Sequence, residues 1–138
     1  MSEDLRGDGG CLREITATAD VANPAVCKQG DCIFAKYKGM LQDGTVFDQS
    51  HGKSHREPYG FDFQVGAGQV ITGWDVGFQG MKIGQKAKLT LRSDYAYGDA
   101  GAPPQIPAGA TLIFEVELIA IGNVDGAGKQ VTGNGPRQ

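Results

Sequence analysis

The stretch from residue 93 to residue 114, SDYAYGDAGAPPQIPAGATLIF, differs more than any other from ordinary globular sequence. It begins with two tyrosines, Tyr95 and Tyr97, continues through a loop rich in glycine and proline, and ends in a run of alternating apolar residues. Proline fixes φ and lowers the entropy that a loop loses when it becomes ordered. We therefore expect a stiff loop between a tyrosine pair and a core strand, an arrangement suited to the wall of a pocket.

The composition indicates one globular domain. A chain of 138 residues is long enough to bury a core but short for two domains. Its 22 glycines favour many turns and short strands over long helices. A net charge of −3 provides no electrostatic basis for binding nucleic acid or anionic membranes, so neither is an expected partner.

The start of the chain shows no targeting signal. Its first five residues, MSEDL, lack the basic start and apolar core of a secretory signal, and no apolar run reaches the roughly 20 residues of a membrane span. A cytoplasmic location is therefore expected, with the nucleus as an alternative.

Alternating apolar and polar residues predict an antiparallel sheet of about five strands. The predicted strand segments are residues 12–18, 32–41, 46–48, 61–65, 85–92 and 111–121. Asp43-Gly44 lies between two of them and predicts a hairpin with a type I′ turn. The basic solvent face of 85–92 and the acidic solvent face of 111–121 suggest cross-strand pairing.

One short helix is predicted after the fourth segment. Ile71, Trp74 and Phe78 have the spacing of one helical face, but Gly73 and Gly77 weaken the helix. Such a helix needs to pack its apolar face against the sheet. The fold class expected is α+β, with a flexible lead-in over residues 1–11, a domain over 12–121, a disordered tail over 122–138 and an exposed flap over 49–60.

Several chemistries find little support in the sequence. The cysteines, Cys11, Cys27 and Cys32, show no paired zinc-ligand spacing, so reduced thiols are expected rather than a metal site or disulfide. His51 and His55 lie in a polar loop without a third ligand. The glycines at 66 and 68 lack the third glycine of a dinucleotide-binding loop. No metal or cofactor is expected.

An ordered set of short motifs resembles a known family. The motifs are YKGML at 37–41, DG at 43–44, FD at 47–48, the glycine at 66, VITGW at 70–74, GQKA at 84–87, DYAYG at 94–98 and IP at 106–107 followed by ATLIF at 110–114. The chain is similar to small single-domain members of the FKBP-type peptidyl-prolyl isomerases, the tacrolimus- and rapamycin-binding proteins. The resemblance implies a sheet wrapped around the short helix, with an apolar site between them.

The resemblance also implies a set of site residues, which matching motifs transfer to this chain. The catalytic set would be Tyr37, Phe47, Asp48 and Tyr97. The substrate- and drug-binding set would be Phe61, Val70, Ile71, Trp74, Ile106 and Phe114. Pattern alone favours an ordinary core role for Trp74, Phe61 and Phe114. The resemblance reverses that interpretation for these three residues, whereas Phe63 is still expected to be a core residue.

The implied activity is rotation of X-Pro bonds in peptides and folding proteins. The implied partners are proline-containing peptides and client proteins, macrolide inhibitors and a third protein recruited through the bound drug, and the chain is expected to be a monomer. The alternative is a non-catalytic binding module of the same fold that regulates a protein partner. A structural domain with an inactive pocket would require the loss of pocket residues, and few are lost.

Overall fold

A computed structural model describes residues 3–18, 25–49, 61–102, 105–121 and 124–125, with the backbone alone at Gln49, Phe61, Val124 and Asp125. Within these ranges the chain forms eight strands and one α-helix. The elements are β1 Glu3–Asp4, β2 Cys11–Thr18, β3 Cys32–Leu41, β4 Val46–Gln49, β5 Phe61–Gln64, α1 Thr72–Gly77, β6 Gln85–Leu91, a single 3₁₀ turn Ser93–Tyr95, β7 Leu112–Ile121 and β8 Val124–Asp125.

All of the strand pairs are antiparallel, and the main path across the sheet is β1-β2-β6-β7-β3-β4. The ten-residue strand β3 is the organising strand. One of its edges pairs with β7 along most of its length, while the other pairs with β5 in its first half and with β4 in its second half. Side chains from β3, β4 and β7 are therefore brought together on one face. The predicted α+β class is confirmed.

The helix lies close to β6 because two of its residues have no side chain. A Cβ atom added to Gly73 would lie 2.3 Å from Cδ1 of Leu91, and one added to Gly77 would lie 2.8 Å from Cδ1 of Leu89. Contacts that short do not occur between real side chains, so the glycines set the distance between helix and sheet. Gly73 and Gly77 lower the intrinsic helix propensity, but they also allow the helix to pack closely against β6 in the core.

The core lies between this helix and the inner face of the sheet. The alternation predicted for β6 and β7 is confirmed, since their inward residues are buried and their outward residues are charged or half-buried. The buried inward residues are Ala87, Leu89, Leu91, Leu112, Phe114, Val116 and Leu118. On the outer face, Lys88 is in register with Glu115 and Lys86 with Glu117, as the charge pattern predicted.

The hairpin between β3 and β4 forms as predicted, but the predicted turn type is wrong. Gly44 has a φ of 92°, whereas no non-glycine residue among those described has positive φ, so Asp43 cannot occupy a type I′ position. Instead the N–H of Gly44 donates to the carbonyl of Leu41, and the N–H of Thr45 donates to Oδ1 of Asp43. A longer turn of this kind requires left-handed backbone only at the glycine.

Both ends of the described chain differ from the expected unstructured segments. Glu3 and Asp4 pair with β2 opposite Arg13 and Leu12, and Cys11 is fully buried at the start of β2. At the other end, Val124–Asp125 pairs with the end of β7. Short strands of two residues carry no periodicity for sequence patterns to detect. Residues 122–123, 126–138 and 50–60, which include most of the predicted tail and flap, lie outside the described residues.

The three cysteines are free. Burial raises the pKa of Cys11 to about 11 and that of Cys27 to about 12. Both thiols therefore stay protonated at neutral pH and are poor nucleophiles. Among the described residues, no helix has the length and apolar character needed to cross a membrane.

Candidate active site

A cavity of about 430 Å³ opens between α1 and the inner face of the sheet. A volume in this range is typical of sites for small ligands. Its lining comes from β3, β4, the turn before the helix, α1, the loop after the 3₁₀ turn, and β7. The lining residues are Tyr37, Phe47, Asp48, Gly68, Gln69, Val70, Ile71, Trp74, Tyr97 and Phe114.

Trp74 forms the floor of the cavity. Its side chain is buried, with 5% exposed, and its ring makes edge contacts with Tyr37 at 4.8 Å and with Phe114 at 5.3 Å between ring centroids. Phe63 and Phe78 contact it from the core side at 5.7 and 5.8 Å. Edge-to-face pairs of this kind favour one ring orientation over others. Four other aromatic rings therefore hold the floor in place.

The wall opposite the helix depends on a glycine in β3. Phe47 and Phe114 meet edge to face at 5.7 Å above Gly39. A Cβ atom at Gly39 would lie 2.7 Å from Phe47 and 2.8 Å from Phe114, so any larger residue would separate the two rings. Gly39 is thus needed for the apolar wall although it does not line the cavity itself.

The polar groups of the cavity include two tyrosine hydroxyls and one carboxylate. The hydroxyl of Tyr37 donates a hydrogen bond to Oδ2 of Asp48 at 2.8 Å. Burial, followed by that hydrogen bond, raises the pKa of Tyr37 well above its usual range. Burial, followed by the charge of Asp48, also raises the pKa of Tyr97. Both hydroxyls therefore remain protonated at neutral pH and can donate hydrogen bonds.

Tyr97 projects from a loop that is closed by its own backbone. The N–H of Gly98 donates to the carbonyl of Ser93 at 2.7 Å, and Ala102 and Ile106 exchange two backbone hydrogen bonds at 2.9 and 3.0 Å. The sequence predicted a loop stiffened by proline; Pro103 and Pro104 lie outside the described residues, and backbone bonds hold the described part. Tyr97 itself is 41% exposed, so it stands at the mouth of the cavity.

The turn before the helix is fixed by a helical side chain. The two carboxylate oxygens of Asp75 accept hydrogen bonds from the N–H groups of Gly66 at 2.9 Å and Gly68 at 3.2 Å. Both glycines have positive φ. This contact places Val70 and Ile71 at the rim of the cavity, directly ahead of the first turn of α1.

The structure brings together eight of the ten residues predicted for the site, and all eight line the one cavity. Ile106 is not in the lining; it is buried in the core at the base of the Tyr97 loop. The side chain of Phe61 lies outside the described residues. The individual roles assigned to these residues stay predictions.

Sequence analysis missed Gly68 and Gln69, which also line the cavity. The sequence assigned Gly66 only a place among the family motifs, and the glycines at 66 and 68 together indicated only an incomplete dinucleotide-binding motif. The sequence did contain a signal for this turn. Asp75 lies in the helix four residues after Ile71, where its carboxylate can accept hydrogen bonds from backbone N–H groups of the loop that precedes the helix. Within the described ranges, no three histidine, cysteine or acidic side chains converge in a way that could hold a metal ion.

Comparison with known proteins agrees with this geometry. The family profile described as FKBP-type peptidyl-prolyl cis-trans isomerase matches residues 24–119. The chain belongs to the FKBP-type peptidyl-prolyl cis-trans isomerases. The matched range contains every residue that lines the cavity, and the family resemblance of the sequence motifs is confirmed.

Individual relatives support the same assignment. The chain is 44% identical over 115 residues to peptidyl-prolyl cis-trans isomerase FKBP15-2 of Arabidopsis thaliana, covering 80% of this chain and 68% of that protein. It is 50% identical over 98 residues to peptidyl-prolyl cis-trans isomerase FKBP2 of Mus musculus, covering 71% and 67%. It is 50% identical over 96 residues to FK506-binding protein 1A of Aspergillus fumigatus, covering 70% and 82%. The chain is an enzyme of the peptidyl-prolyl isomerase class.

Proposed function

We propose that the cavity catalyses cis/trans rotation of X-Pro bonds by binding the twisted amide, and that it also binds macrolides of the tacrolimus and rapamycin type. The observation that carries this proposal is the aromatic floor and wall around Trp74 with two protonated tyrosine hydroxyls at its edge. The substrates are X-Pro segments of peptides and client proteins.

The chemical problem is loss of amide resonance. Rotation about a peptide bond must cross a barrier of roughly 18 to 20 kcal/mol, so uncatalysed X-Pro isomerisation takes about 10 to 100 s. The planar amide is stabilised by charge separation between its oxygen and nitrogen, and the twisted transition state has less of that separation. A site that excludes water therefore favours the twisted state over the planar one, which is catalysis by differential binding.

The side chains of the cavity suit this mechanism. The rings of Trp74, Phe47 and Phe114 offer an apolar surface for the proline ring, with Val70 at the rim. The Tyr97 hydroxyl and the backbone N–H of Ile71 would hold carbonyl groups of the substrate on either side of the reacting bond. Tyr37 would line the side on which the rotating carbonyl moves.

The acidic group of the cavity has an orienting role in this proposal. Asp48 accepts a hydrogen bond from the Tyr37 hydroxyl at 2.8 Å, and this bond fixes the direction of that hydroxyl. Rotation about a single bond transfers no proton and forms no covalent intermediate. The mechanism therefore needs neither a general base nor a nucleophile.

Macrolide binding rests on the same cavity and on relatives. A protein from Aspergillus fumigatus that is 50% identical to this chain is named for binding FK506, which is tacrolimus. The aromatic surface that accepts a proline ring would accept a ring of similar shape in the drug. Tyr97, exposed at the mouth, would then lie beside the drug surface that recruits a third protein. A monomer in the cytoplasm or nucleus completes the proposal.

The test is relaxation of a Leu-Pro or Phe-Pro peptide towards its cis/trans equilibrium with catalytic amounts of the protein, repeated with tacrolimus. Acceleration that the drug abolishes is the expected result. Folded protein that gives no acceleration would overturn the catalytic proposal. If such protein still binds the drug, the chain is a recognition module of the same fold.

A further inference from the structure

The residues ahead of β2 fold into a defined turn, although they contain little apolar surface. The carboxylate of Asp4 accepts the N–H groups of Gly7 and Gly9, each at 2.9 Å. The N–H of Leu5 donates to the carbonyl of Cys11 at 3.0 Å. We refer to residues 3–10 as the N-terminal strap. Its shape is set by these hydrogen bonds and by its pairing with β2.

One end of the strap reaches the helix through Arg13. This inward residue of β2 is only 8% exposed, and its Nη1 donates to the carbonyls of Gly77 at 2.9 Å and Gln79 at 2.7 Å. The Gly77 carbonyl belongs to the last residue of α1 and the Gln79 carbonyl follows just after it, at the end of the helix where the dipole favours a cation. The Nε of Arg13 donates to Glu3 at 3.1 Å. A buried guanidinium needs a carboxylate partner, and the strap supplies one.

The other end of the strap reaches the base of the Tyr97 loop through Asp8. The hydroxyl of Tyr95 donates to Oδ2 of Asp8 at 2.7 Å, and Nη1 of Arg92 donates to the backbone carbonyl of Asp8 at 3.0 Å. Arg92 also binds both carboxylate oxygens of Asp94, at 2.6 and 2.8 Å. One guanidinium thus joins the strap to the 3₁₀ turn that precedes Tyr97.

The strap and the 3₁₀ turn also touch directly at Gly10. A Cβ atom there would lie 2.4 Å from Cε2 of Tyr95, so only glycine permits this approach. The carbonyl of Gly10 accepts the N–H of Arg92 at 2.8 Å. The contact therefore combines backbone, ring and charged groups, and its position is fixed from several directions.

We propose that the N-terminal strap is a positioning segment for the active site, acting through Asp8 and Tyr95 on the Tyr97 loop and through Glu3 and Arg13 on the helix that carries Trp74. The proposal rests on the isomerase function proposed above. None of these four residues lines the cavity. Their effect on catalysis is transmitted through the two elements that they hold.

A single exposed ion pair would be a poor basis for such a role, because most contribute little. The contact at Asp8 differs in being a network, in which its carboxylate accepts the Tyr95 hydroxyl and its carbonyl accepts from Arg92. The same guanidinium is held in place by a bidentate contact with Asp94. Networks with this geometry are the exception that retains measurable energy. The hydrogen bond from Tyr95 also lowers the pKa of Asp8, as expected if its ionised form is the bonded form.

The experiment for the loop end measures kcat and KM for X-Pro isomerisation by the full chain, using Tyr95→Phe, Asp8→Ala and the double variant. Tyr95→Phe removes one atom from a surface contact and is expected to fold. A displaced Tyr97 weakens ground-state and transition-state binding together, which raises KM without changing kcat. We expect KM to rise roughly two- to fivefold in each variant, with the double variant no worse than the stronger single one.

The matched control is Asp31→Ala. Asp31 also accepts a backbone N–H within its own turn, from Lys28 at 2.8 Å. The bonds that join this turn to Val65 are made by backbone groups, which the substitution leaves in place. Its KM should equal that of the wild type. Amide hydrogen exchange separates positioning from general destabilisation. It should accelerate at residues 96–101 in the Asp8 and Tyr95 variants and stay unchanged there in the control.

The helix end is read through the fluorescence of Trp74, the only tryptophan in the chain. Glu3→Ala should alter the emission spectrum of Trp74 and accelerate hydrogen exchange of the α1 amides. Arg13→Lys should also depart from the wild-type emission and exchange, because lysine cannot bind Glu3 and two carbonyls in the same fork geometry. These readouts do not require turnover. They still test the strap if the wild-type protein proves inactive, in which case only the proposed function fails.

Two results would overturn the inference. One is a wild type that is active together with Tyr95 and Asp8 variants whose KM and loop exchange match Asp31→Ala. The other is a loss of global stability in the strap variants, with KM unchanged in the Tyr95 and Asp8 variants and Trp74 fluorescence unchanged in Glu3→Ala. Either result would leave the strap with a structural role only.

Discussion

The two faces of strands β3 and β7 have the same backbone and opposite chemistry. On the inner face, Tyr37 and Phe114 line the cavity with Trp74 between them. On the outer face, the neighbouring residues of the same strands are Lys36, Lys38, Glu115 and Glu117. A shift of one residue along either strand would replace side chains that line the cavity with side chains that face solvent.

The outer face forms a regular pattern of charge. Across three strands, Lys38 is in register with Glu115 and Glu115 with Lys88, while Lys36, Glu117 and Lys86 form the adjacent row. Opposite charges in register stabilise strand pairing modestly. The comparison teaches that register alone separates the site from the surface, so variants on the two faces should have very different effects.

The largest effect is expected on the inner face, from Trp74→Ala. Removal of the floor should lower the free energy of unfolding by about 3 to 5 kcal/mol, because the cavity around it cannot close. Loss of its edge contacts to a bound proline ring should lower kcat/KM by roughly ten- to a hundredfold. Chemical denaturation and the peptide relaxation assay measure the two effects. Residual activity near wild type in folded variant protein would refute the role of the floor.

Gly73→Ala tests whether the helix is placed by steric contact with β6. Alanine improves helix propensity by about 1 kcal/mol over glycine. The added Cβ, however, would lie 2.3 Å from Leu91, and overpacking of this kind costs about 1 to 3 kcal/mol. We expect a net loss of stability in urea denaturation. The exposed neighbour provides the control, since Thr72→Ala should change stability little, and a stabilised Gly73→Ala protein would contradict the packing described here.

Tyr97→Phe should affect binding more than folding. The hydroxyl lies at the cavity mouth on a side chain that is 41% exposed, so its removal leaves the core intact. Loss of one hydrogen bond to a substrate carbonyl should weaken binding by about 1 kcal/mol, roughly a fivefold rise in KM. Steady-state kinetics with an X-Pro peptide provides the measurement. An unchanged KM would remove Tyr97 from the proposed binding set.

On the outer face, Lys86→Ala should have almost no effect. Lys86 is exposed, and surface substitutions of this kind usually change stability by less than about 0.5 kcal/mol. Its kcat/KM should equal that of the wild type. A clear loss of activity would mean that the outer face contributes to catalysis, and the contrast between the two faces would no longer hold.

The smallest effect is expected from pH, on which kcat/KM should hardly depend. The pKa values of Tyr37 and Tyr97 are both raised by burial, so neither hydroxyl loses its proton from neutral pH up to the ordinary tyrosine value of about 10. Activity should be flat over that range. Above it the unfolded chain ionises first, so stability is lost as the pH rises. A steep change of kcat/KM between pH 7 and 9 would argue for proton transfer in the rate-limiting step.

Much of the fold could be predicted from local pattern. Alternation identified β6 and β7 with the correct inward faces, and the spacing of Ile71, Trp74 and Phe78 identified α1. Strand β1 was not predicted because two residues are too few to form an alternating pattern. Its pairing also involves a contact between Glu3 and the buried Arg13, ten residues away. The turn at Asp43-Gly44 was assigned to the wrong type because Oδ1 of Asp43 takes a backbone partner that the dipeptide alone does not reveal.

The site was predictable only in part for a physical reason. Pattern showed that Trp74 and Phe114 would be apolar and inward, but convergence of six segments on one cavity is a tertiary property. The resemblance to the family predicted which residues converge, and eight of those residues line the cavity. The contribution of Gly39 required coordinates, because it depends on the distance between two rings that the sequence places far apart.

The most direct test of the account is an exchange experiment by NMR on a Phe-Pro peptide, with the amide resonances of the protein followed in the same samples. The account predicts faster exchange between the cis and trans peptide signals, with shift changes concentrated at inner-face and cavity residues such as Tyr37, Ile71 and Tyr97. Unaccelerated exchange, or shift changes centred on the outer rows around Glu115 and Glu117, would contradict it.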